Sequence, residues 1–264
     1  GFAAYQLVKT VRRMDAQVSI QVFTADDGAE YNKPDLSHVF SRKQTARDLV
    51  VKTGEAFAQE HHIELLTHTK IESVDTQAQQ VVADGQVYAY SKLVFATGAK
   101  AFVPPMRGDA SGDVLTLNSL QEYQLAEEKI SQAKRVMVIG GGLIGVEIAM
   151  DIASSGKAVT VVESNQRLLA NLIPEFVALP LESQLKQQGI QLALGNGVVE
   201  VNRTADSLVA TLNSGEVSEI DVVISAAGLR SNTQLANACG LEVGKGIAVD
   251  AKLQTSANNV FALG

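Results

Sequence analysis

The stretch from Val136 to Glu163 constrains this chain more than any other. It opens on a short apolar run, Val136 to Ile139, of the kind that forms a buried parallel strand. Gly140, Gly142 and Gly145 follow in G-x-G-x-x-G spacing. A helical pattern comes next, with Ile144, Ile148 and Ile152 about one turn apart, and closes at Gly156. A second β-branched run, Val159 to Val162, ends in Glu163, 21 residues after Gly142. The three glycines do different mechanical jobs. Gly140 allows a tight turn, Gly142 lets backbone approach a pyrophosphate, and Gly145 lets helix pack on strand. Glycine-rich turns alone are common; strand, turn, helix, second strand and terminal acid in this order are what the motif requires.

The helix start offers unpaired N–H groups and a positive dipole end to phosphates. Glu163 is placed to accept hydrogen bonds from both ribose hydroxyls, and its charge repels a 2′-phosphate. Neither Arg nor Lys occurs in Ser164-Asn165-Gln166, so NADH is favoured over NADPH, with Arg167 the nearest cation.

Composition narrows the classes. At 264 residues the chain holds one or two domains. No apolar run approaches 18 residues, so no membrane span is expected. A single cysteine, Cys239, makes no internal disulfide, and a cytoplasmic location is expected. The net charge of −7 argues against nucleic-acid binding as the main role. The four histidines, His38, His61, His62 and His68, show no metal-ligand spacing, and no metal is expected.

The start of the chain reads as half of another βαβ unit. Gly1-Phe2-Ala3-Ala4 runs into an amphipathic helix with Leu7, Val8 and Val11 on one face. An alternating strand follows, Val18 to Phe23, and then Asp26-Asp27. Gly1 takes the place of the middle glycine, and Ala4 that of the small residue that permits helix–strand packing. The first strand and first glycine are absent, which reads as a trimmed N-terminus. Two such units about 140 residues apart suggest two bound nucleotides, an arrangement that brings a flavin and a nicotinamide together for hydride transfer. Asp26 is the candidate acid for the first adenosine ribose, ahead of Asp27; Asp-Asp-Gly is equally good turn chemistry.

Lys33-Pro34 forces an extended backbone before the proline, and Pro34 suits the first position of a helix. Lys33 is either a cation beside an electron-rich flavin ring or an exposed loop lysine. Lys33, Arg42, Lys43, Arg47 and Lys52 lie in a moderately helical stretch and reverse the sign of an acidic chain. They could steer an acidic partner or form a solvated face. Short strands are expected at Ile63–Leu66, Thr69–Asp75, Gln80–Val82, Gln86–Tyr90 and Leu93–Ala96, the last dropping into Thr97-Gly98. Val103-Pro104-Pro105 is a rigid exit to a linker through Gly112, and a lead-in helix spans Gln121 to Gln132. After Glu163 a helix begins at Ile173-Pro174, interrupted or kinked at Pro180. Three strands follow at Gln191–Leu194, Val198–Asn202 and Leu208–Leu212. A strand from Ile220 to Ile224 then ends in Ala226-Ala227-Gly228. A last pair of strands is expected at Gly246–Asp250 and Val260–Gly264, where the C-terminus looks cut as well. Both halves share one layout, an internal repeat of a whole domain.

With both βαβ units, both glycine turns and the segment Glu30-Tyr31-Asn32-Lys33-Pro34-Asp35-Leu36-Ser37-His38 in hand, the chain resembles the FAD-dependent pyridine nucleotide oxidoreductases. Val103-Pro104-Pro105 and Leu117-Asn118-Ser119 narrow the resemblance to the rubredoxin reductase branch, in particular its members in bacterial nitric oxide detoxification. The resemblance implies an α/β fold of two Rossmann-like FAD/NAD(P)-binding domains, each a parallel sheet with a small antiparallel meander. It divides the chain into an FAD-binding segment at 1–112, an inserted NAD-binding domain at 113–232, and a second FAD-binding segment at 233–264 that lacks the C-terminal interface domain.

By the same resemblance, Gly1, Ala4, Asp26, Lys33, Pro34, Ile71, Thr97 and Gly98 would line FAD. Gly140, Gly142, Ile144, Gly145, Glu163 and Gly228 would line NADH, with Glu147 facing the nicotinamide. Lys33 would stabilise reduced flavin and Glu147 would orient the nicotinamide. The implied reaction takes hydride from NADH and passes single electrons to a rubredoxin-type iron centre, flavorubredoxin, docked near the basic 33–52 stretch. Two departures qualify this. Ferredoxin-reductase relatives carry a lysine after Leu-Ser, where His38 stands, so a Lys–Glu pair with Glu147 is not assumed. No cysteine lies near the flavin motifs, which argues against a thiol mechanism. The alternatives are a ferredoxin reductase, an NADH oxidase, or a nicotinamide-responsive binding protein without catalysis.

Overall fold

The computed structural model describes all residues, 1–264. The chain forms two compact units, each assembled from separate stretches of sequence. The first comprises Gly1–Asn32, Val50–Lys100 and Arg230–Gly264; the second comprises Lys33–Leu49 and Ala101–Leu229. The second therefore includes 33–49 and 101–112, which the resemblance groups with the first FAD-binding segment.

The second unit is built on a four-stranded parallel sheet whose strand order is Gln191–Leu194, Ala158–Glu163, Arg135–Ile139, Val222–Ser225. Arg135–Ile139 is central and apolar on both faces, as a doubly covered parallel strand must be. Met137 and Ile139 point into a core shared with a three-stranded antiparallel meander, Val198–Arg203, Leu208–Leu212 and Val217–Ile220. On the helix that follows the glycine turn, Leu143–Ser154, Ile148 and Ile152 are buried, which makes its apolar stripe the packing face. Ile152 is fully buried, and burying such a side chain contributes about 1.5–3 kcal/mol.

The expected strand at Ile220–Ile224 is two strands. Asp221 separates them because its carboxylate accepts from the Lys134 and Arg135 amides and from the Arg135 guanidinium, which leaves it at a corner. The helix after Pro174 is uninterrupted, running Glu175–Gln187 through Pro180. The carbonyl deprived of a donor by the proline is that of Phe176, on an exposed turn that water can reach.

In the first unit, the opening helix, Phe2–Met14, buries Tyr5 and Val8 against Phe57, with Ala4, Ile20, Val22 and Ile63 around them. Tyr5 stacks on Phe57 with centroids 3.8 Å apart, and its hydroxyl donates to the Gly28 carbonyl. Two parallel pairs, Gln21–Phe23 with Glu64–Leu66 and Leu93–Phe95 with Val260–Ala262, accompany an antiparallel meander of Ile71–Asp75, Gln80–Ala83 and Gln86–Ala89. Layout thus repeats between the units, as the sequence repeat anticipates.

Two expectations fail here. Gly246–Asp250 is not a strand. Gly244-Lys245-Gly246 folds back on itself through Gly244 N–H to Gly246 C=O, and the Asp250 carboxylate takes the Lys252 and Gln254 amides, so the backbone is satisfied locally. The 33–52 stretch is only briefly helical. It consists of a 3₁₀ turn at Lys33–Ser37, a four-residue helix at Val39–Arg42 that ends in left-handed Lys43, a second 3₁₀ turn at Ala46–Leu49, and a strand at Val50–Lys52.

Candidate functional site

In the second unit, the glycines of the 136–163 motif differ sharply in their surroundings. Gly140 has φ +111°, and a Cβ placed there would lie 2.5 Å from the Ala226 carbonyl oxygen. A Cβ on Gly145 would lie 1.9 Å from the Gly140 oxygen, so helix and strand touch through bare backbone. At Gly142, by contrast, nothing lies within 4 Å of a Cβ. Two glycines are fixed by packing, and the middle one faces open space. Gly142 is also the N-cap of the Leu143–Ser154 helix and supplies no side-chain bond, so the first-turn amides are left for an anion.

Glu163 closes the turn. Its carboxylate, 8% exposed, accepts from Gly141 N–H at 2.5 Å through Oε2. Oε1 accepts from Asn165 N at 2.7 Å, Asn165 Nδ2 at 2.6 Å and Ser164 Oγ at 3.1 Å. A carboxylate offers about four acceptor sites, with Oε1 crowded here and Oε2 holding one donor. Oε2 is thus the oxygen with capacity for a ligand hydroxyl. Arg167 is committed elsewhere: its guanidinium donates to the Ile173 carbonyl at 2.6 Å and the Ala170 carbonyl at 2.9 Å. Gly228, φ +109°, ends the strand neighbouring the motif in an open turn, and Ile144 is exposed on the first helical turn. These residues fit a dinucleotide with an unphosphorylated ribose.

The same helix holds the 33–49 segment. Glu147, half-buried, accepts from the Ser37 hydroxyl at 3.1 Å and has no cationic partner. The partner of this carboxylate is a neutral hydroxyl. One turn further on, buried Asp151 accepts from Phe40 N at 2.7 Å, Ser41 N at 3.3 Å and Ser41 Oγ. From the lead-in helix, Leu120–Gln132, Tyr123 donates to the Gln44 carbonyl at 2.6 Å and Glu127 accepts from Ala46 N at 3.0 Å. Lys33 donates to Asn118 Oδ1 at 2.7 Å. Burial lowers the Lys33 pKa from its ordinary value, and the charge of Glu122 works against that shift. Pro34 lies exposed inside the 3₁₀ turn.

In the first unit, Gly1 caps the Phe2–Met14 helix with no atom within 4 Å of a Cβ, and Ala4 packs toward Phe57. Asp26 follows the Gln21–Phe23 strand. Its Oδ1 accepts from Thr24 Oγ1 at 2.6 Å and Gly28 N at 2.9 Å, the turn chemistry noted from the sequence. Asp27 likewise accepts from Ala29 N. Ile71 starts the first meander strand. Thr97 and Gly98 are exposed, Gly98 has φ +61° with open space at its Cβ position, and a bulky ligand could lie against this backbone. The turn is braced by Asn232, which donates from Nδ2 to Thr97 O at 2.9 Å and from N to Gly98 O, and accepts Thr97 Oγ1 at its own carbonyl.

Sequence reasoning missed Gly141, Asn165, Asp151 and Asn232. Only Asn165 had a signal, an amide two residues past the strand-ending acid.

Cys239 lies in the apolar cluster around Phe95 and Leu241, and burial raises its thiol pKa, so it is not primed as a nucleophile. No helix is long and apolar enough to cross a membrane.

In the second unit, a glycine turn at a strand–helix junction with an acid at the end of the next strand defines a dinucleotide-binding fold. The chain belongs to the pyridine nucleotide-disulphide oxidoreductase family, whose model matches residues 1–264. It is 64% identical over its whole length to the nitric oxide reductase FlRd-NAD(+) reductase of Vibrio vulnificus, of which it spans 69%. Among solved structures, 98% of the chain superposes on a ferredoxin reductase from Rhodopseudomonas palustris with TM-score 0.90 and 28% identity, spanning 65% of that chain. The reductase of a covalent putidaredoxin reductase–putidaredoxin complex gives TM-score 0.88 at 27% identity, covering 97% of this chain and 64% of the other.

Proposed function

We propose that this chain is the nucleotide-binding body of an FAD-dependent oxidoreductase that oxidises NADH and reduces a rubredoxin-type iron centre, flavorubredoxin, in nitric oxide detoxification. The observation that carries the nucleotide assignment is the turn in which Glu163 grips Gly141 while Gly142 faces open space. Whole-length likeness to the Vibrio vulnificus reductase supports the acceptor, and the putidaredoxin reductase likeness supports an iron protein as its kind. When bound, NADH supplies a hydride, and FAD accepts it as an electron pair that can leave one electron at a time.

The protein's part is placement and electrostatics. In the NAD-binding domain, Gly140 and Gly145 fix the turn, Gly142 admits a pyrophosphate, the first-turn amides from Ile144 onward meet its charge, and Glu163 holds the ribose. Gly228 leaves room beside the turn. Glu147, which carries no ion pair, keeps a carboxylate oxygen for orienting the nicotinamide amide. In the first unit, Gly1, Ala4, Asp26, Ile71, Thr97 and Gly98 would line the cofactor. Asn118 aims the Lys33 ammonium, which has three N–H donors and spends one on that amide, leaving two for negative charge on a reduced flavin. Exposed Arg42, Lys43 and Arg47 offer an acidic iron protein a basic landing face.

Stopped-flow reduction of the full-length flavoprotein by NADH and by NADPH, then mixing with acceptors, tests the proposal. The expected result is fast bleaching by NADH, reoxidation by flavorubredoxin and not by oxygen, and slower bleaching in Lys33→Ala. Bleaching without reoxidation by any rubredoxin would remove the partner; reoxidation by oxygen at the same rate would favour an NADH oxidase. An unchanged rate in Lys33→Ala would remove Lys33 from the mechanism.

A further inference from the structure

The carboxylate that reads the ribose is not free to choose its own orientation. Three of the four donors to Glu163 converge on Oε1, and two of those three belong to Asn165. Asn165 is itself held: its carbonyl accepts from Gly195 N at 2.8 Å, and Asn196 N donates to the Glu163 carbonyl at 3.0 Å. The Gln166 amide packs on Gly195 so closely that a Cβ there would lie 2.6 Å from it. The loop after the Ala158–Glu163 strand is thus cross-braced to the end of the neighbouring Gln191–Leu194 strand. The Asn165 side chain brings that rigidity to Glu163 Oε1.

We infer that Asn165 is a positioning residue for dinucleotide selectivity: it pins Glu163 Oε1 so that Oε2 stays directed at the ribose position and cannot swing aside for a 2′-phosphate. This rests on the proposed NADH site and adds a residue that holds the acid in place. A mobile glutamate would discriminate weakly, because rotating its carboxylate away costs little; a pinned one leaves a fixed negative charge where the extra phosphate must go. Arg167, the nearby cation that could offset the charge, is occupied by the Ile173 and Ala170 carbonyls. Discrimination therefore depends on whether Glu163 can move, and that depends on Asn165.

The test measures binding rather than turnover. Dissociation constants for NAD⁺, NADP⁺, 5′-AMP and adenosine 2′,5′-bisphosphate are determined by calorimetry on the full-length flavoprotein and its Asn165→Ala, Ser164→Ala and Glu163→Gln variants. Losing one charge-assisted hydrogen bond corresponds to about a tenfold effect. Asn165→Ala is expected to narrow the preference for unphosphorylated over 2′-phosphorylated ligands by about that factor, and Ser164→Ala, which loses a longer bond, by less. Asn165→Ser, a short side chain that keeps a hydroxyl donor, is expected to retain part of the preference and serves if the alanine variant does not fold. An unchanged preference in Asn165→Ala, or equal weakening of all four ligands, overturns the role of Asn165. If Glu163→Gln also leaves the preference unchanged, the NADH-site reading fails with it. If Glu163→Gln shifts the preference and Asn165→Ala does not, only the positioning role falls.

Discussion

Single methyl groups at two glycines of the motif separate ligand binding from folding. At Gly145, the Cβ of an alanine would stand 1.9 Å from the Gly140 oxygen. Ordinary carbon–oxygen contact is about 3.3 Å, so the helix must retreat by more than 1 Å from a strand whose residues are packed on both faces. Overpacking of this kind costs about 1–3 kcal/mol. For a chain of this size, about 2–4 °C of midpoint is lost per kcal/mol, which gives a fall of roughly 2–12 °C. At Gly142, the backbone lies at φ −75°, which any residue adopts, and a Cβ meets nothing within 4 Å. Replacing a glycine N-cap by alanine costs on the order of 0.5–1 kcal/mol, so the midpoint falls by only a few degrees. The methyl does, however, occupy the space through which a pyrophosphate approaches the first-turn amides, and NADH affinity should drop by about tenfold or more. Thermal denaturation followed by circular dichroism, with NADH titration on each variant, reads both quantities. The reasoning is refuted if Gly142→Ala binds NADH as tightly as the parent, or if Gly145→Ala melts no lower than Gly142→Ala.

Two further outcomes follow from the second unit. Asp151→Ala leaves the Phe40 and Ser41 amides without their acceptor, which should cost about 2–4 kcal/mol; urea denaturation with hydrogen exchange at those amides checks it, and unaltered protection there would rule out the anchoring role. Asp221 is subject to burial, which raises its carboxyl pKa, but the Arg135 guanidinium and the Lys134 and Arg135 amides more than offset this and hold it at about 2, below its ordinary 3.8. Its folded pKa is depressed, so its contribution is complete above the unfolded value and lost as pH falls from about 4 toward 2. Asp221→Asn should flatten the acid limb of stability in that window, and an identical acid limb in the variant would exclude this pair as its source.

What was legible in the sequence follows from how local the determining forces are. The 136–163 motif could be read because each residue acts on chain neighbours: β-branched residues make strand, glycines permit a turn, and isoleucines one turn apart make a packing face. The meander strands could be read for the same reason. The segment 33–49 reads as moderately helical but is only briefly so, because its conformation is imposed from outside by Asp151, Tyr123 and Glu127, far away in sequence. Gly246–Asp250 looked like a strand by composition, but strand formation needs a neighbouring backbone, and Asp250 and the paired glycines satisfied the segment locally instead. Asn232 was invisible for a third reason: an amide's partners are set by loop geometry that no periodicity encodes.

The two candidate ribose acids are engaged differently in the structure. Asp26 has one methylene, and its Oδ1 reaches only its own turn, Thr24 and Gly28. Glu163 has two, enough to reach back from the end of one strand to Gly141 at the end of its neighbour. In the second unit, the acid proposed to read the ribose therefore also builds the turn proposed to take the phosphates. Glu163→Ala releases the Gly141 amide as well as the proposed ribose contact, so the loss of affinity measured on it exceeds the value of the ribose contact alone. Asp26→Ala should relax the 24–28 turn, where the Asp26 carboxylate accepts from Thr24 Oγ1 and Gly28 N.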